Sequence, residues 1–489
     1  MPTTITTDQI GNTGLVANSG DPTIILPDVL IEGTSGDGIL STATDLFVHG
    51  TVVAQTDGID FNLDPGEDGR LFIGSTGSVF AFDDGLDLEG SIEATVAGSV
   101  FGRDIGALLR DGGSRLVISD TGVIQGGSNL DGSDPDDLAA AIASIATTGE
   151  VRIVNRGTVI GELSPTNDLR IAFVDGAFSG DQPNPASDQT STFINTGRVE
   201  GDIFFLAGED TYDARGGGTV AGDILMGRDD DTFLGADVGE FAAGDSGLDV
   251  MFGFGGDDTL LGGNDNDLIN GGDGDDVLRG EGGADTVIGA QGDDLISGEN
   301  GADELRGSRG NDTINGGNGN DLISGGTGDD TLRGQEGSDT IDGGEGDDLI
   351  TGDSGFGVLR GSRGDDTIDG GQDGDLLHGG ADDDELIGRG GDDNLNGGTG
   401  NDTLTGSGGF DTFVFKNGFG NDVITDFNGS NLERIDLSDI AGIVNPADLF
   451  ANHLTQDGGD VLFDDLNGNT IVIQNTQLAN LDAGDFLVN

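Results

Sequence analysis

A nine-residue pattern runs nineteen times over residues 245–415 without one inserted or deleted residue. It begins Asp245-Ser246-Gly247-Leu248-Asp249-Val250-Met251-Phe252-Gly253 and ends at Phe415. The seventh position is always apolar, from Met251, Leu260 and Ile269 to Leu404 and Phe413. Glycine fills the ninth position in every nonad but the last, and the third in all but three, where Asp265, Asp373 and Asp382 stand. The fifth position is aspartate at Asp249, Asp258, Asp267, Asp276, Asp285, Asp294, Asp303, Asp312, Asp321, Asp330, Asp339, Asp348, Asp366, Asp375, Asp384, Asp393, Asp402 and Asp411, with Gly357 as the one exception. A flexible Gly/Asp-rich linker has no reason to hold an apolar residue in phase. Three residues around the seventh position are expected to form a very short strand with one inward side chain. The other six must turn the chain, which calls for glycine. Two nonads then make one coil of a flattened solenoid, and coils stack at about 4.8 Å.

Such a coil is poorly held by its own core. Two inward aliphatic side chains bury little apolar surface against the entropy of ordering two whole nonads. The fifth-position aspartates, stacked coil over coil beside outward-bent carbonyls, form two ladders of hard oxygen ligands. That environment suits Ca2+ and not Mg2+, which dehydrates reluctantly. Nonads such as Gly326-Thr327-Gly328-Asp329-Asp330-Thr331-Leu332-Arg333-Gly334 resemble the RTX (repeats-in-toxin) family throughout. The resemblance implies a parallel β-roll with multiple Ca2+ ions bound between alternate turns.

The formal charge is −73 and Lys416 is the only lysine, which excludes nucleic acid and anionic membrane as electrostatic partners and leaves multivalent cations. Without cysteine there are no disulfides or thiolate metal sites. No apolar run approaches the ~18 residues of a membrane span. Met1-Pro2-Thr3-Thr4-Ile5-Thr6-Thr7-Asp8-Gln9-Ile10 has neither the basic nor the apolar region of a Sec signal. Extracellular modules bind calcium at around 10⁻⁴–10⁻³ M, far above cytosolic levels. The sites therefore call for a secreted, extracellular or cell-surface protein.

Residues 1–244 read as β, with runs at 23–31, 45–56, 70–82, 115–125, 151–163 and 192–206 rich in Val, Ile and Phe. A short phrase recurs at uneven intervals: Asn155-Arg156-Gly157-Thr158-Val159-Ile160-Gly161, Asn195-Thr196-Gly197-Arg198-Val199-Glu200-Gly201 and Gly218-Thr219-Val220-Ala221-Gly222. More loosely it returns at Gly122-Val123-Ile124 and Gly50-Thr51-Val52. Rungs of unequal length are expected. This region resembles the passenger β-helices of large secreted bacterial proteins, with an antiparallel sandwich as the alternative. Residues 133–146 are predicted as the one helix, with Asp134 as cap, Pro135 in the first turn and Leu138, Ile142 and Ile145 on one face. Residues 227–235 already fit the nonad, in phase with the array across a degenerate 236–244.

After Phe415 aromatic alternation replaces the repeat. Gly420-Asn421-Asp422-Val423-Ile424, Ile435-Asp436-Leu437-Ser438 and the terminal Asp485-Phe486-Leu487-Val488 resemble the C-terminal segment of serralysin-type and other type I secreted proteins. That resemblance implies an uncleaved export signal and a type I exporter as partner during secretion. An apolar capping strand would look much the same. The expected fold is all-β, a parallel β-solenoid. An irregular β-helix-like domain (1–244) continues into an RTX β-roll (245–415), followed by a small C-terminal β cap (416–489).

No catalytic residues and no cofactor-binding residues other than the metal ligands are assigned. No His-Glu-x-x-His helix occurs, the histidines being His49, His378 and His453, and no Gly-x-Ser-x-Gly elbow. Alginate epimerases, which join a β-helix to RTX repeats, need a base, an acid and a charge neutraliser. This chain offers one tyrosine, Tyr212, in a repeat-like context, and one lysine. Paired carboxylates remain as a route to glycoside chemistry. A second period lies inside the first. Arg279, Arg306, Arg333 and Arg360 recur every 27 residues at the eighth position, and Leu268, Leu295, Leu322, Leu349 and Leu376 every 27 at the sixth. Strand alternation points both sets outward. Duplication of a three-nonad block explains them without function, whereas a lateral contact surface gives them one. The expectation is a non-enzymatic calcium-binding structural protein that self-assembles into a surface layer, fibre or biofilm matrix, with a surface glycan as a further partner class. The alternative is an extracellular polysaccharide-active enzyme with its site on the N-terminal β-helix.

Overall fold

The computed structural model describes residues 3–11, 14–17, 22–63, 67–110, 113–126, 140–144, 150–161, 170–175, 178–179, 182–183, 189–429 and 432–488. The chain divides into two compact units, Met1–Gly263 and Asn264–Asn489.

In the first unit each coil contributes up to three short strands, and each strand pairs in parallel with its counterpart one coil on. Asp68–Ile73 shows why: alternate residues Gly69, Leu71 and Ile73 are buried while Asp68 and Arg70 face water. One inward column runs from Leu46 through Leu71, Ala94, Leu116, Ile153, Phe193, Tyr212 and Phe233 to Met251, each paired with the next. Coil lengths differ, because hydrogen bonds between adjacent coils join residues 22, 25 and 40 positions apart. The parallel helix therefore holds over the sandwich. Among the described residues of this unit, antiparallel pairing is confined to Phe178–Ser179 with Gln182–Pro183.

The recurrent phrase is the second sheet of this helix. Thr51–Val53, Ser78–Phe80, Ser99–Phe101, Val123–Gly126, Thr158–Gly161, Arg198–Glu200 and Thr219–Ala221 stack in order. Its asparagines turn the corner: Asn155 Oδ1 accepts from the Gly157 amide and Asn195 Oδ1 from the Gly197 amide, and Asn155 Nδ2 donates to Asn195 Oδ1 at 3.0 Å. The sheet ends at Thr219–Ala221, after which coils carry two strands. Ile224–Arg228 pairs with Phe241–Ser246, and Thr232–Leu234 with Val250–Gly255. The change from a three-sided to a two-sided coil thus falls inside the first unit.

The helix expected over 133–146 is corrected. Residues 133–139 and 145–146 lie outside the described ones, but Ala140–Ser144 is a fully buried strand paired in parallel with Ile105–Leu109 and Ile171–Asp175. Ile142 and its alanines satisfy their backbone groups in the sheet, which overrides the helical propensity of an Ala-rich run. Tyr212 is structural: fully buried, it stacks on Phe233 at 5.6 Å and 8°, and its hydroxyl accepts from Asn195 Nδ2 at 3.1 Å.

In the second unit the nonads form two parallel faces. Leu268–Asp273, Thr286–Gln291 and Glu304–Arg309 begin face I, and Val277–Gly282, Leu295–Asn300 and Thr313–Asn318 begin face II. Most strands span six residues, longer than the three expected, because pairing resumes beyond the ninth-position glycine: Leu268, Ile269 and Asn270 pair one coil on, then Gly272 and Asp273. The seventh residues are the core, each at most 1 % exposed from Ile269 to Phe413.

The C-terminal segment closes the stack. Asn421–Ile424 pairs with Thr403–Gly408 and with Thr470–Ile473, which belongs to an antiparallel meander with Asp460–Asp464 and Leu454–Asp457. Phe486–Leu487 pairs in parallel with Arg434–Asp436, itself laid on Thr412–Val414.

Candidate metal centres

The turns between strands place the fifth-position aspartates. Asp249 and Asp258 lie in the first unit. In the second unit edge I carries Asp267, Asp285, Asp303, Asp321, Asp339, Asp375, Asp393 and Asp411, and edge II carries Asp276, Asp294, Asp312, Asp330, Asp348, Asp366, Asp384 and Asp402. All are buried, at most 4 % exposed. One rule orients them. From Asp267 to Asp393, except at Asp339, which faces Gly357, each backbone amide donates to Oδ1 of the aspartate one coil on, as Asp267 to Asp285 at 2.8 Å, Asp294 to Asp312 at 2.9 Å and Asp393 to Asp411 at 3.0 Å. From Asp285 to Asp411, the other oxygen, Oδ2, is buried and carries no hydrogen bond. A row of buried carboxylate oxygens without donors is costly unless a cation meets them.

The glycines of the nonad answer two different demands. Third-position glycines hold positive φ, 137° at Gly274 and 145° at Gly337. The ninth-position glycine is there for space. A Cβ on Gly298 would lie 2.3 Å from Asp303 Oδ2 and 2.6 Å from the Gly316 carbonyl oxygen. At Gly325 the same point lies 2.2 Å from Asp330 Oδ2 and 2.7 Å from Gly343 O, and at Gly379 2.2 Å from Asp384 Oδ2 and 2.5 Å from Gly397 O. A carboxylate oxygen and a main-chain carbonyl from the next coil thus converge where no side chain intrudes. Calcium takes six to eight such oxygens at about 2.3–2.6 Å. Among the described residues no three acidic, histidine or cysteine side chains converge on one point, so main-chain carbonyls must complete the set. The donors fit calcium: hard, oxygen only and partly neutral.

Electrostatics agree. Burial, reinforced by neighbouring carboxylates, pushes Asp294 up to about 7, Asp330 to about 7 and Asp384 to about 8 from an ordinary 3.8. Without a cation these groups resist ionisation at neutral pH.

The ladders run further than the aspartates named from the sequence. Asp231 Oδ1 accepts from the Asp210 amide at 2.7 Å, Asp249 Oδ1 from Asp231 at 2.8 Å and Asp258 Oδ1 from Glu240 at 2.7 Å. Asp231 Oδ2 and Glu240 Oε1 are buried without a hydrogen bond. At the other end Asp422 Oδ1 accepts from Asp402 at 3.0 Å. Asp231 and Glu240 sit in phase with the nonads and were legible. Asp210 and Asp422 were not, since their bonded partners lie 21 and 20 residues away rather than 18.

Gly357 breaks edge I. Its amide still donates to Asp375 Oδ1 at 2.7 Å, but it offers nothing to the Asp339 coil. Beside Gly352 the cradle keeps the Gly370 carbonyl, 2.4 Å from the Cβ point, and Leu359 Cδ1 at 3.2 Å stands where other coils have a carboxylate. Phe356 is exposed.

Stacked two-nonad coils with inward carboxylate rungs define a calcium-binding parallel β-roll. Residues 234–269, 261–296, 297–332, 324–359, 351–386 and 378–413 match the family model of the RTX calcium-binding nonapeptide repeat (four copies), and the chain carries RTX repeats that bind several calcium ions. No curated protein matches the chain. Among solved structures it is similar to the extracellular lipase LipA from Serratia marcescens, with 19 % identity and a TM-score of 0.18 over 40 % of this chain and 45 % of that one. The chain thus spans less than half the length of that lipase. No helix among the described residues is long and apolar enough to cross a membrane.

Proposed function

We propose that this is a secreted, non-enzymatic structural protein that folds on extracellular Ca2+ and self-associates at the cell surface into a layer, fibre or matrix, exported by a type I system through its C-terminal segment. The repeats themselves point to a secreted calcium-binding protein. The observation that carries the assembly reading is the exposed lattice on the roll. Leu295 and Leu349 on face II, and Leu322 and Leu376 on face I, are 40–49 % exposed. On each face they recur three coils apart, about 14 Å at the strand spacing. Large apolar side chains repeated at a fixed spacing along an acidic scaffold offer a second chain a regular series of contact points. The test is electron microscopy and sedimentation of the full chain with Ca2+ and with excess chelator. Ordered assemblies only with Ca2+ support the reading; a monodisperse species at all calcium levels overturns it.

One observation favours the polysaccharide-active alternative. In the first unit burial, together with the neighbouring carboxylates, raises Asp57 to about 7 and Asp84 to about 8, while Asp87 is held by Arg110 at 2.5 and 2.8 Å. A carboxyl raised into the neutral range beside further carboxylates is what a general acid acting on a glycan requires. Cleavage or epimerisation of an acidic or neutral polysaccharide, lost in Asp84→Asn, would select this reading.

A further inference from the structure

Face I of the second unit carries a cationic groove on an otherwise acidic chain. Val358–Arg363, Leu376–Ala381 and Asn394–Thr399 are adjacent parallel strands, with Arg360 over His378 over Asn396. Thr412–Val414 follows, and Lys416 lies just beyond it. Together with Leu376 and Asp436 these side chains line a groove of about 340 Å³. Arg306, Arg333, Arg363 and Arg389 each pair with a carboxylate. Among the described residues Arg360 and Lys416 pair with none, and both are exposed.

Edge II presents the opposite charge. Outside its buried rungs a second, exposed ladder occupies the fourth position: Asp275, Asp293, Asn311, Asp329, Asp347, Asp365, Asp383 and Asn401. It runs in the reverse sense, each amide donating to the side chain one coil back, as Asp347 to Asp329 at 3.0 Å, Asp365 to Asp347 at 2.8 Å and Asp383 to Asp365 at 2.9 Å. On edge I the same bond is made only in isolated pairs among the described residues, Ala284 to Asn266, Ser338 to Asn320 and Phe410 to Asp392. Its fourth positions are Asn266, Ala284, Ala302, Asn320, Ser338, Phe356, Gly374, Asp392 and Phe410, a single acid among nine.

Resting on the self-association reading above, we infer that the Arg360–His378–Lys416 groove receives the outer aspartate ladder of edge II from a second copy of this chain. Charge is complementary, and the spacing is commensurate because both surfaces are built on the same coil repeat. Arg360 and the strand leading to Lys416 are three strands apart, roughly 14 Å, as are Asp329 and Asp383 on their ladder. Leu376 supplies apolar contact beside the charges. Two different surfaces meet, so the contact is heterologous and extends beyond a dimer, into a ring or an open filament according to the rotation between copies. Calcium gates it, because groove and ladder are presented only on the folded roll, whose folding is coupled to calcium binding.

The test uses the full chain in Ca2+, followed by sedimentation and light scattering, with circular dichroism to confirm the calcium-induced fold. Arg360→Glu with Lys416→Glu is expected to raise the protein concentration needed for assembly at least tenfold, and so is Asp329→Lys with Asp383→Lys. A chain carrying both pairs, with the charges exchanged, is expected to recover assembly. Unchanged assembly of the first pair while the native chain assembles overturns the inference and leaves self-association standing. A native chain that never assembles overturns both. Saturable binding of a polyuronate to the groove, abolished by Arg360→Glu with assembly unaffected, assigns the groove to a glycan and overturns the inference.

Discussion

Each buried aspartate of the roll is a group whose charge is unwelcome until a cation arrives, and the sign of that effect sets a pH response. In the folded chain Asp303, Asp294 and Asp384 titrate at about 6, 7 and 8, because burial disfavours the carboxylate. In the unfolded chain they titrate near 3.9. A raised folded pKa contributes stability that is complete below the unfolded value and is lost as pH rises through the folded one. In excess chelator the melting temperature should therefore fall as pH rises from 5 towards neutrality, where the array is expected to lose its fold. With calcium the dependence should invert, because binding requires the ionised form and releases protons. Thermal melts with and without chelator across that range check both signs. Gly357 tests the ligand assignment at a single residue. A Cβ there comes within 3.3 Å of Asp375 Oδ1 and Leu359 Cδ2, both side-chain atoms that can give slightly, so Gly357→Asp should restore the rung and raise calcium stoichiometry by isothermal titration; an unchanged count would show that carbonyls already complete those sites. The first position of the nonad is strained where it is not glycine, with φ of 72° at Glu281, 89° at Ser308 and 77° at Gln335. Ser308→Gly should stabilise the calcium-loaded fold by roughly 1 kcal/mol in chemical denaturation.

At the level of elements, a strand in this fold is defined by its neighbours one coil away. The terminal Phe486–Leu487 strand shows the consequence. Phe486 is buried and meets Phe450 edge-on at 5.7 Å, and the Asp485 carbonyl accepts from the Ile435 amide at 2.8 Å. Removing 485–489 strips this contact as well as any export address, so secretion and folding must be read separately. Phe486→Ala should cost about 3–5 kcal/mol locally and increase hydrogen exchange around Arg434–Asp436, while residues 268–399 keep their calcium response. A variant that is folded normally in vitro yet retained in the cell would isolate the export role. The 140–144 strand carries the opposite lesson. Its composition reads as helix, and only the strands at Ile105–Leu109 and Ile171–Asp175, distant in sequence, make it β.

For the molecule as a whole, folding and calcium are one equilibrium. At ten times its dissociation constant each site adds about 1.4 kcal/mol, and the rungs share ligands between coils, so a calcium titration followed by circular dichroism should be steep. In excess chelator at neutral pH the array should lose most of its β signal. A full β spectrum without calcium would refute the role given to the ladders.

The nonad made its own tertiary contacts legible. When no residue is inserted, every side chain's neighbour is its counterpart one coil on, so a local period fixes long-range pairing, the inward seventh residue and the buried fifth. The Arg and Leu periods likewise placed their exposed faces. What the period could not reach was decided by three-dimensional stacking. Asp210 and Asp422 join the ladders across irregular spacings, Ala140–Ser144 becomes a strand, and the fourth-position ladder hydrogen-bonds in the reverse sense to the fifth. In each case the deciding quantity is which backbone amide lies within reach across a coil, a property of the stack and not of neighbouring residues in the chain.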